Sequence, residues 1–183
     1  LSGLKERLDR VRGIKIKTTE RGVRLGRNLF GGEIEEEIEE ISGRRVIGTI
    51  EKVKLIGKDG RSVEVEAKID TGADSTSIDT ELAKQLGFES VLEFFDTIPK
   101  HIPETRSQEE ELQTKLRNEY LGKHADLHDI LFVYSSNGVT MRPKVKLVFI
   151  MDTIEVSAYA TIANRASLQY PVIIGNKNLH KFL

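Results

Sequence analysis

The chain has 183 residues, of which 38% are hydrophobic and 31% are charged, and its formal net charge is −1. This length suits one domain with an extension or two very small domains, and a net charge near zero gives no overall attraction to nucleic acid. Apolar runs are short, such as the one at residues 147–151, whereas a membrane-spanning helix needs about 20 residues. Cysteine is absent, which excludes disulfides, thiolate zinc sites and cysteine nucleophiles.

The N-terminal part of the chain separates its charges. Residues 1–32 carry nine Lys or Arg against three acidic residues, and residues 33–40 carry six Glu. Isoleucines at helical spacing predict a short amphipathic helix or a partly ordered arm over residues 33–42. We interpret residues 1–43 as a charged extension and residues 44–183 as the folded domain. A solvated surface is the plain interpretation of the basic stretch, and contact with nucleic acid or an acidic partner is the alternative.

Two segments on either side of a turn predict a β-hairpin. Residues 46–56 are rich in β-branched and apolar side chains, and residues 62–69 alternate apolar with polar ones. Alternation with period two is typical of a strand with one wet face. Asp59-Gly60 between the two segments is a strong turn signal. The second strand runs directly into Asp70.

Helices and an irregular segment are predicted next. A short helix that Asp79 or the following residue caps, and that Gly87 ends, should come first. Two Ile-Pro pairs then mark an irregular segment, because a residue before proline avoids helical backbone. Ser107 with Glu110 forms a capping-box pattern, so residues 108–119 should be helical.

The C-terminal part of the chain returns to strands. Residues 131–134 predict a strand, and Asn137-Gly138 predicts a hairpin turn, because Asn-Gly tolerates positive φ at both central positions. Three further strands are predicted at residues 139–151, 153–163 and 171–175. The whole pattern predicts a mainly β protein.

Asp70-Thr71-Gly72 is the segment that carries chemistry. Gly72 permits a tight turn that exposes the preceding carboxylate, and the Thr71 hydroxyl can bond neighbouring backbone. A carboxylate fixed in this way suits a general base, but peptide hydrolysis by carboxylates uses two of them that share a proton. A structural turn after a strand, with the Asp side chain bonded to its own backbone, is the alternative interpretation.

Longer segments around this tripeptide carry a family resemblance. Residues 67–76, Ala-Lys-Ile-Asp-Thr-Gly-Ala-Asp-Ser-Thr, resemble the active-site segment of retropepsins, the retroviral-type aspartic proteases. Residues 171–179 look like the second retropepsin signature, which is an apolar strand, a glycine and a short helix. The hairpin within residues 133–150 lies where a retropepsin has its substrate-covering flap. The order of these parts resembles a retropepsin along residues 44–183.

A narrower resemblance concerns a prokaryotic family. Residues 68–73 and 135–138 look like proteins once described as ATP-dependent zinc proteases, now grouped with retropepsin-like aspartic endopeptidases and associated with RimK-type ligases. The aspartic-protease part of that description has support in the segments above. The zinc part has none, because the chain has no Cys and no His-Glu-x-x-His. We therefore expect no cofactor and no metal.

The resemblance implies a homodimeric aspartic endopeptidase with a closed, barrel-like retropepsin fold. The chain has one Asp-Thr-Gly, so Asp70 from each of two copies would meet at a two-fold axis and share one proton. Thr71 would bond across that axis, and Gly72 would offer backbone acceptor groups to the substrate. Gly175 and the strand before it would pack behind this loop.

The resemblance also implies which residues contact a peptide or protein substrate. These are Ala73 and Asp74 beside the catalytic loop, and Asn137 and Gly138 in the flap. The absence of cysteine and of a visible secretory signal fits a cytoplasmic location without a membrane partner. We expect no nucleic acid partner.

Three features depart from the retroviral pattern. The span from Asp70 to Gly175 is longer than in retroviral enzymes, and the surplus is a helical insertion near residues 97–130. Asn176 stands where those enzymes usually carry an Arg that braces the dimer. The flap residues are Ser and Asn rather than a run of glycines.

Two other functions fit the residues. The first is a non-catalytic module that keeps the fold and only holds a peptide tail. The second is a metal-dependent hydrolase, because His124 and His128 would share one face of a helix, with Asp126 and Asp129 beside them. A polar surface helix or a buried, hydrogen-bonded His is the plain interpretation of this second pattern.

Overall fold

The computed structural model describes residues 40–41, 44–45, 48–135 and 138–182. Main-chain packing divides the chain into two units, residues 1–48 with residue 183, and residues 49–182. In the first unit, strand β1 (Glu40–Ile41) pairs antiparallel with β2 (Arg44–Arg45). The end of the acidic stretch is therefore a strand rather than a helix, and the register pairs Glu40 with Arg45. The rest of the predicted extension lies outside the described residues.

The second unit is mainly β, as predicted, and its seven strands form one mixed sheet. Four helices and one 3-10 turn connect them. The strands are β3 (Ile50–Ile56), β4 (Ser62–Asp70), β5 (Thr76–Asp79), β6 (Asp129–Ser135), β7 (Gly138–Met151), β8 (Ile154–Ala163) and β9 (Val172–Gly175). The helices are α1 (Thr80–Gln85), α2 (Glu89–Asp96), α3 (Arg106–Tyr120) and α4 (Asn176–Leu179), and the turn is Lys58–Gly60.

The strand order is β3-β4-β9-β5-β8-β7-β6. Because β3 also pairs with β7, the hydrogen bonding returns to its starting strand and leaves β6 outside the ring. The pairs β4–β9 and β5–β8 are parallel and the other pairs are antiparallel. The C-terminal strand β9 therefore lies between β4, which precedes the Asp70 turn, and β5, which follows it.

Strand β7 is long enough to pair with two other strands along one of its edges. Lys144 pairs with Asp129 of β6 on one side and with Thr161 of β8 on the other. Further along, Phe149 pairs with Leu55 of β3, so β6 and β3 occupy successive lengths of the same edge. Leu55 and Phe149 are 0% and 1% exposed, and burying each such side chain contributes about 1.5–3 kcal/mol. This apolar pair favours closure of the ring.

Both predicted hairpins are present. The β3–β4 turn holds Asp59 at φ 52° and Gly60 at φ 72°, the left-handed backbone that Asp-Gly tolerates best. In the β6–β7 hairpin, Ser135 pairs with Gly138, and Gly138 has φ 100°. Residues 136–137, between them, lie outside the described residues.

The helix that follows the Asp70 turn ends where the sequence predicts. The Asp79 side chain caps α1 by accepting a hydrogen bond from the Glu81 N–H at 3.0 Å. Gly87, at φ 89°, follows its last turn. The next helix, α2, was not predicted, although Val91 and Phe95 at helical spacing are its buried residues.

The predicted start of α3 was wrong by two residues. Thr105 is the N-cap, and its Oγ1 accepts a hydrogen bond from the Gln108 N–H at 3.2 Å. The side chain of Gln108 accepts in turn from the Glu104 N–H at 3.0 Å. Thr105 and Gln108 have the same spacing as the predicted pair Ser107 and Glu110, and the extended backbone of Thr105 makes it the cap. Among the described residues, no helix combines the length and apolar character needed to cross a membrane.

Candidate active site

Asp70 is the last residue of β4, and the turn that follows fixes its carboxylate. Oδ1 accepts a hydrogen bond from the Gly72 N–H at 3.0 Å, and the Asp70 carbonyl accepts one from the Ala73 N–H at 3.2 Å. The side chain is 33% exposed, with Lys68 Nζ at 3.9 Å from Oδ2. At that distance and exposure the ion pair contributes little to stability. The carboxylate is therefore held by backbone and remains open to solvent.

Strand β9 brings Gly175 against the same turn. Asp70 and Gly175 are register partners in the parallel β4–β9 pair. A Cβ on Gly175 would lie 2.5 Å from the backbone carbon and oxygen of Ser75 and 2.8 Å from the Ala73 carbonyl oxygen. No side chain fits there without moving backbone. The family resemblance of residues 171–179 singled out Gly175, and this close approach to the backbone gives the physical reason for a glycine there.

The first residues of α4 hold the far side of the turn. The N–H of Asn176 donates to the Ala73 carbonyl at 2.7 Å, and that of Lys177 donates to the Asp74 carbonyl at 3.1 Å. Both carbonyl groups are thus used inside the chain. The side chain of Asp74 stays exposed, as do Thr71 and Gly72.

A buried polar network lies behind the turn. Thr76 Oγ1 accepts hydrogen bonds from the Gly175 N–H at 3.2 Å and from Asn178 Nδ2 at 2.8 Å. Asn178 Nδ2 also donates to the Tyr159 carbonyl at 3.2 Å. Thr76 and Asn178 are 1% and 7% exposed, so water has little access to replace these hydrogen bonds. Sequence reasoning missed this pair, since nothing local signals a contact between residues 102 positions apart.

Asp70 shares one face of the sheet with the exposed Lys68 and the buried Ser77. Ile173 pairs with Lys68 on β4 and with Ser77 on β5, and Asp70 is two residues after Lys68, so all four side chains lie on one face. Ser77 is 6% exposed, and within the described residues its hydroxyl has no hydrogen-bond partner. A buried hydroxyl without a partner is rare in folded proteins.

The structure brings five of the seven predicted site residues together. Asp70, Thr71, Gly72, Ala73 and Asp74 form one turn. The remaining two are in the β6–β7 hairpin: Gly138 is a described residue of β7, and Asn137 lies outside the described residues. Within the described ranges, no hydrogen bond joins Gly138 to the turn. A flap role for the hairpin stays a prediction.

The helix on which His124 and His128 could share a face, the condition for the metal alternative, is not present. Helix α3 ends at Tyr120 and Gly122 follows at φ 88°, a backbone that stops a helix. His124 and His128 consequently lie in the loop before β6. The ring of His128 packs edge-on against Tyr159, with centroids 4.8 Å apart. Within residues 48–135 and 138–182, no three His, Cys, Asp or Glu side chains are grouped as metal ligands would be.

His124 forms a contact that looks like part of a Ser-His-Asp triad but lacks its chemistry. Nε2 lies 2.9 Å from Ser90 Oγ, and Nδ1 accepts the Asp126 N–H at 3.2 Å. Because Nδ1 is an acceptor, the ring proton is on Nε2 and donates to Ser90, so the ring is no base for that hydroxyl. The Asp126 carboxylate is 4.0 Å from Nδ1 and bonds Lys58 Nζ at 2.5 Å instead. This group joins the Lys58–Gly60 turn, helix α2 and the loop before β6, and is structural.

Asp79, predicted as a possible helix cap, has a structural role. Its Oδ2 caps α1, and its Oδ1 accepts a hydrogen bond from the Arg165 N–H at 2.7 Å. Burial lowers the pKa of the Arg165 guanidinium, and the Asp79 charge opposes that change. Burial, followed by the nearby charge of Arg165, lowers the pKa of Arg142 as well. The two arginines therefore concentrate positive charge where β7 and the loop after β8 approach each other.

Comparison with known proteins adds no family to this site. No family model matches the chain, and no curated protein matches it. Among solved structures, the chain is similar to the crystal structure of Lpg0085, a protein with unknown function (DUF785) from Legionella pneumophila subsp. pneumophila str. Philadelphia 1. The two are 16% identical, the match covers 74% of this chain and 86% of that chain, and the TM-score is 0.38. A likeness at this level carries no argument about fold or activity.

Proposed function

We propose that the chain is a homodimeric aspartic endopeptidase of the retropepsin type, with one Asp70 from each copy in the active site. The observation that carries the proposal is the Asp70 carboxylate itself. It ends a strand, it is one-third exposed, and it is fixed by the Gly72 N–H. A carboxylate oriented by backbone and open to solvent suits general acid–base catalysis.

The path of the chain around Asp70 supports the same proposal. The Asp-bearing strand and the Gly-bearing strand run parallel and in register, and a short helix follows the glycine at once. This order agrees with the two retropepsin-like segments in the sequence. The six-strand ring of hydrogen bonds also supports a closed, barrel-like fold.

The proposed reaction uses two carboxylates and one water. Two carboxyl groups close together share one proton, because both cannot ionise side by side. The ionised Asp70 takes a proton from water as its oxygen attacks the scissile carbonyl, and the protonated Asp70 donates its proton to the carbonyl oxygen. The tetrahedral diol then collapses: one carboxyl protonates the leaving nitrogen, the C–N bond breaks, and the other takes the hydroxyl proton. The products are an acid and an amine, and the dyad is restored.

The substrate would lie extended and bond by its main chain, as peptides do in strand-like recognition. Thr71 would join the two Asp70 loops, and Gly72 would offer its carbonyl to the peptide. Because α4 already occupies the carbonyl groups of Ala73 and Asp74, Asp74 would contact the peptide through its exposed carboxylate.

Cleavage of an unfolded protein mixture tests the proposal. Wild type should cleave at some pH between about 4 and about 7, where aspartic dyads titrate, and Asp70→Asn should reduce the rate by about 10²- to 10⁴-fold, the usual share of acid–base catalysis. Asp96→Asn, the same charge change at an exposed position on α2, is the control and should leave the rate unchanged. Cleavage should not respond to a chelator. Cleavage that survives Asp70→Asn would refute the proposal, and a dimer without any activity would favour the peptide-binding module.

A further inference from the structure

Helix α3 belongs to the insertion that the retropepsin-like parts of the sequence do not account for, and it lies along strand β6. This strand is the last in the sheet order, so one of its edges has no strand neighbour. An uncovered edge leaves backbone N–H and C=O groups unpaired and invites unwanted pairing. Here side chains bond backbone groups of that edge, one from α3 and one from β6 itself.

Three residues of α3, each four positions after the last, bond three successive points along β6. The Tyr134 hydroxyl donates to the Glu109 carboxylate. Gln113 Nε2 donates to the Ile130 carbonyl at 3.1 Å. Residues four apart lie on one face of a helix, so the third residue of the series, Arg117, faces the same strand.

Arg117 makes the strongest of these contacts. Its Nε and Nη2 donate to the two carboxylate oxygens of Asp129 at 2.9 and 2.8 Å. A two-pronged bond between guanidinium and carboxylate fixes geometry as well as charge. Asp129 Oδ1 also accepts the Ile130 N–H at 2.8 Å, so both edge groups of Ile130 are satisfied. Leu116, 2% exposed, lies on the same helix face.

We propose that α3 is a clamp that holds β6 and the part of β7 paired with it, residues 129–135 and 138–144, in one position. Glu109, Gln113 and Arg117 are its positioning residues. The clamped strands then form a wall of the peptide groove. The last step rests on the proposed function, whereas the clamp itself rests on the contacts between α3 and β6.

Amide hydrogen exchange of the full chain tests the clamp. In the double variant Gln113→Ala/Arg117→Ala, amides of β6 and of residues 138–144 should exchange roughly tenfold faster, because exchange reports local opening. Those of β4 and β9 should be unchanged. The exchange rates of Arg117→Lys should fall between those of wild type and the double variant, since lysine keeps the charge and loses the two-pronged bond. Lys115→Ala is the matched control, because Lys115 is an exposed residue of the same helix, and it should exchange as wild type does.

The outcomes separate the clamp from the proposed function. Unchanged exchange in β6, or equal acceleration in β4 and β9, would overturn the clamp. If the hairpin loosens, the KM for a peptide should rise severalfold with kcat little changed, because Asp70 is untouched. A loosened hairpin with unchanged KM would overturn its role as a groove wall. If wild type cleaves nothing, the exchange data still decide the clamp, and only the proposed function fails.

Discussion

At Gly175, an added methyl group would lie 2.5 Å from the backbone carbon and oxygen of Ser75. At Thr76, a single buried oxygen receives two hydrogen bonds, from Gly175 and Asn178. These two positions, and not the exposed Asp70-Thr71-Gly72 segment alone, fix where the turn sits. The stability of the site therefore depends on atoms that never meet substrate.

Gly175→Ala should lower the free energy of unfolding by about 1–3 kcal/mol, because backbone must move to admit the methyl group. Chemical denaturation measures this loss. The comparison variant is Gly122→Ala, where φ is 88° and an added Cβ meets nothing within 4 Å. There, backbone strain alone should cost about 1–2 kcal/mol. Since strain leaves the site intact, only Gly175→Ala should also reduce peptide cleavage; equal cleavage by both variants would contradict this account.

Thr76→Val should cost about 2–4 kcal/mol, because it leaves buried N–H donors of Gly175 and Asn178 without their acceptor. Thr76→Ser keeps the oxygen and should cost only about 1 kcal/mol for the lost methyl group. Urea unfolding of the two variants gives the difference. Similar losses for Val and Ser would show that the hydroxyl is not what holds the network.

At the scale of elements, the sequence predicted those whose signals are local. The β3–β4 hairpin follows from alternation and Asp59-Gly60, and the end of α1 follows from Gly87. The start of α3 was misplaced because the pattern Ser/Thr-x-x-Glu/Gln occurs twice within six residues, and only backbone conformation at Thr105 decides between the two. The metal alternative for His124 and His128 loses its geometric basis, because spacing of four gives a shared face only inside a helix and the helix ends before Gly122.

The contact between Lys58 and Asp126 links two connecting segments, and its contribution to the free energy of unfolding should depend on pH. Its hydrogen bond with the Asp126 carboxylate, and next that charge, raise the pKa of Lys58 above the usual 10.5. A raised pKa means that the native state binds the proton more tightly, so the stabilisation is present below 10.5 and is lost as pH rises through the higher value. The difference in unfolding free energy between wild type and Lys58→Gln should therefore shrink at alkaline pH. Lys115→Gln is the control, and a difference that stays constant with pH would contradict the assignment.

At the scale of the whole molecule, the sequence predicted a mainly β protein but not how its strands connect. The β3–β7 pairing and the insertion of β9 between β4 and β5 join distant segments. Strand patterns specify which side chains face inward, and they do not specify the neighbour of each strand. The network of Thr76 and Asn178 depends on this topology, so it could not be predicted before the fold. The position of Asp70 could be predicted from the sequence, because residues 70–72 alone set its turn.

In the proposed enzyme, one active site needs Asp70 from two copies. Mixing wild type with Asp70→Asn at constant total protein tests it directly, after exchange of subunits and with peptide cleavage as the readout. If both carboxylates are required, activity follows the square of the wild-type fraction, so an equal mixture retains about a quarter of the activity. Asp96→Asn in place of Asp70→Asn should leave it undiminished. A linear fall, to about half in the equal mixture, would mean that each chain acts alone and would contradict the shared site.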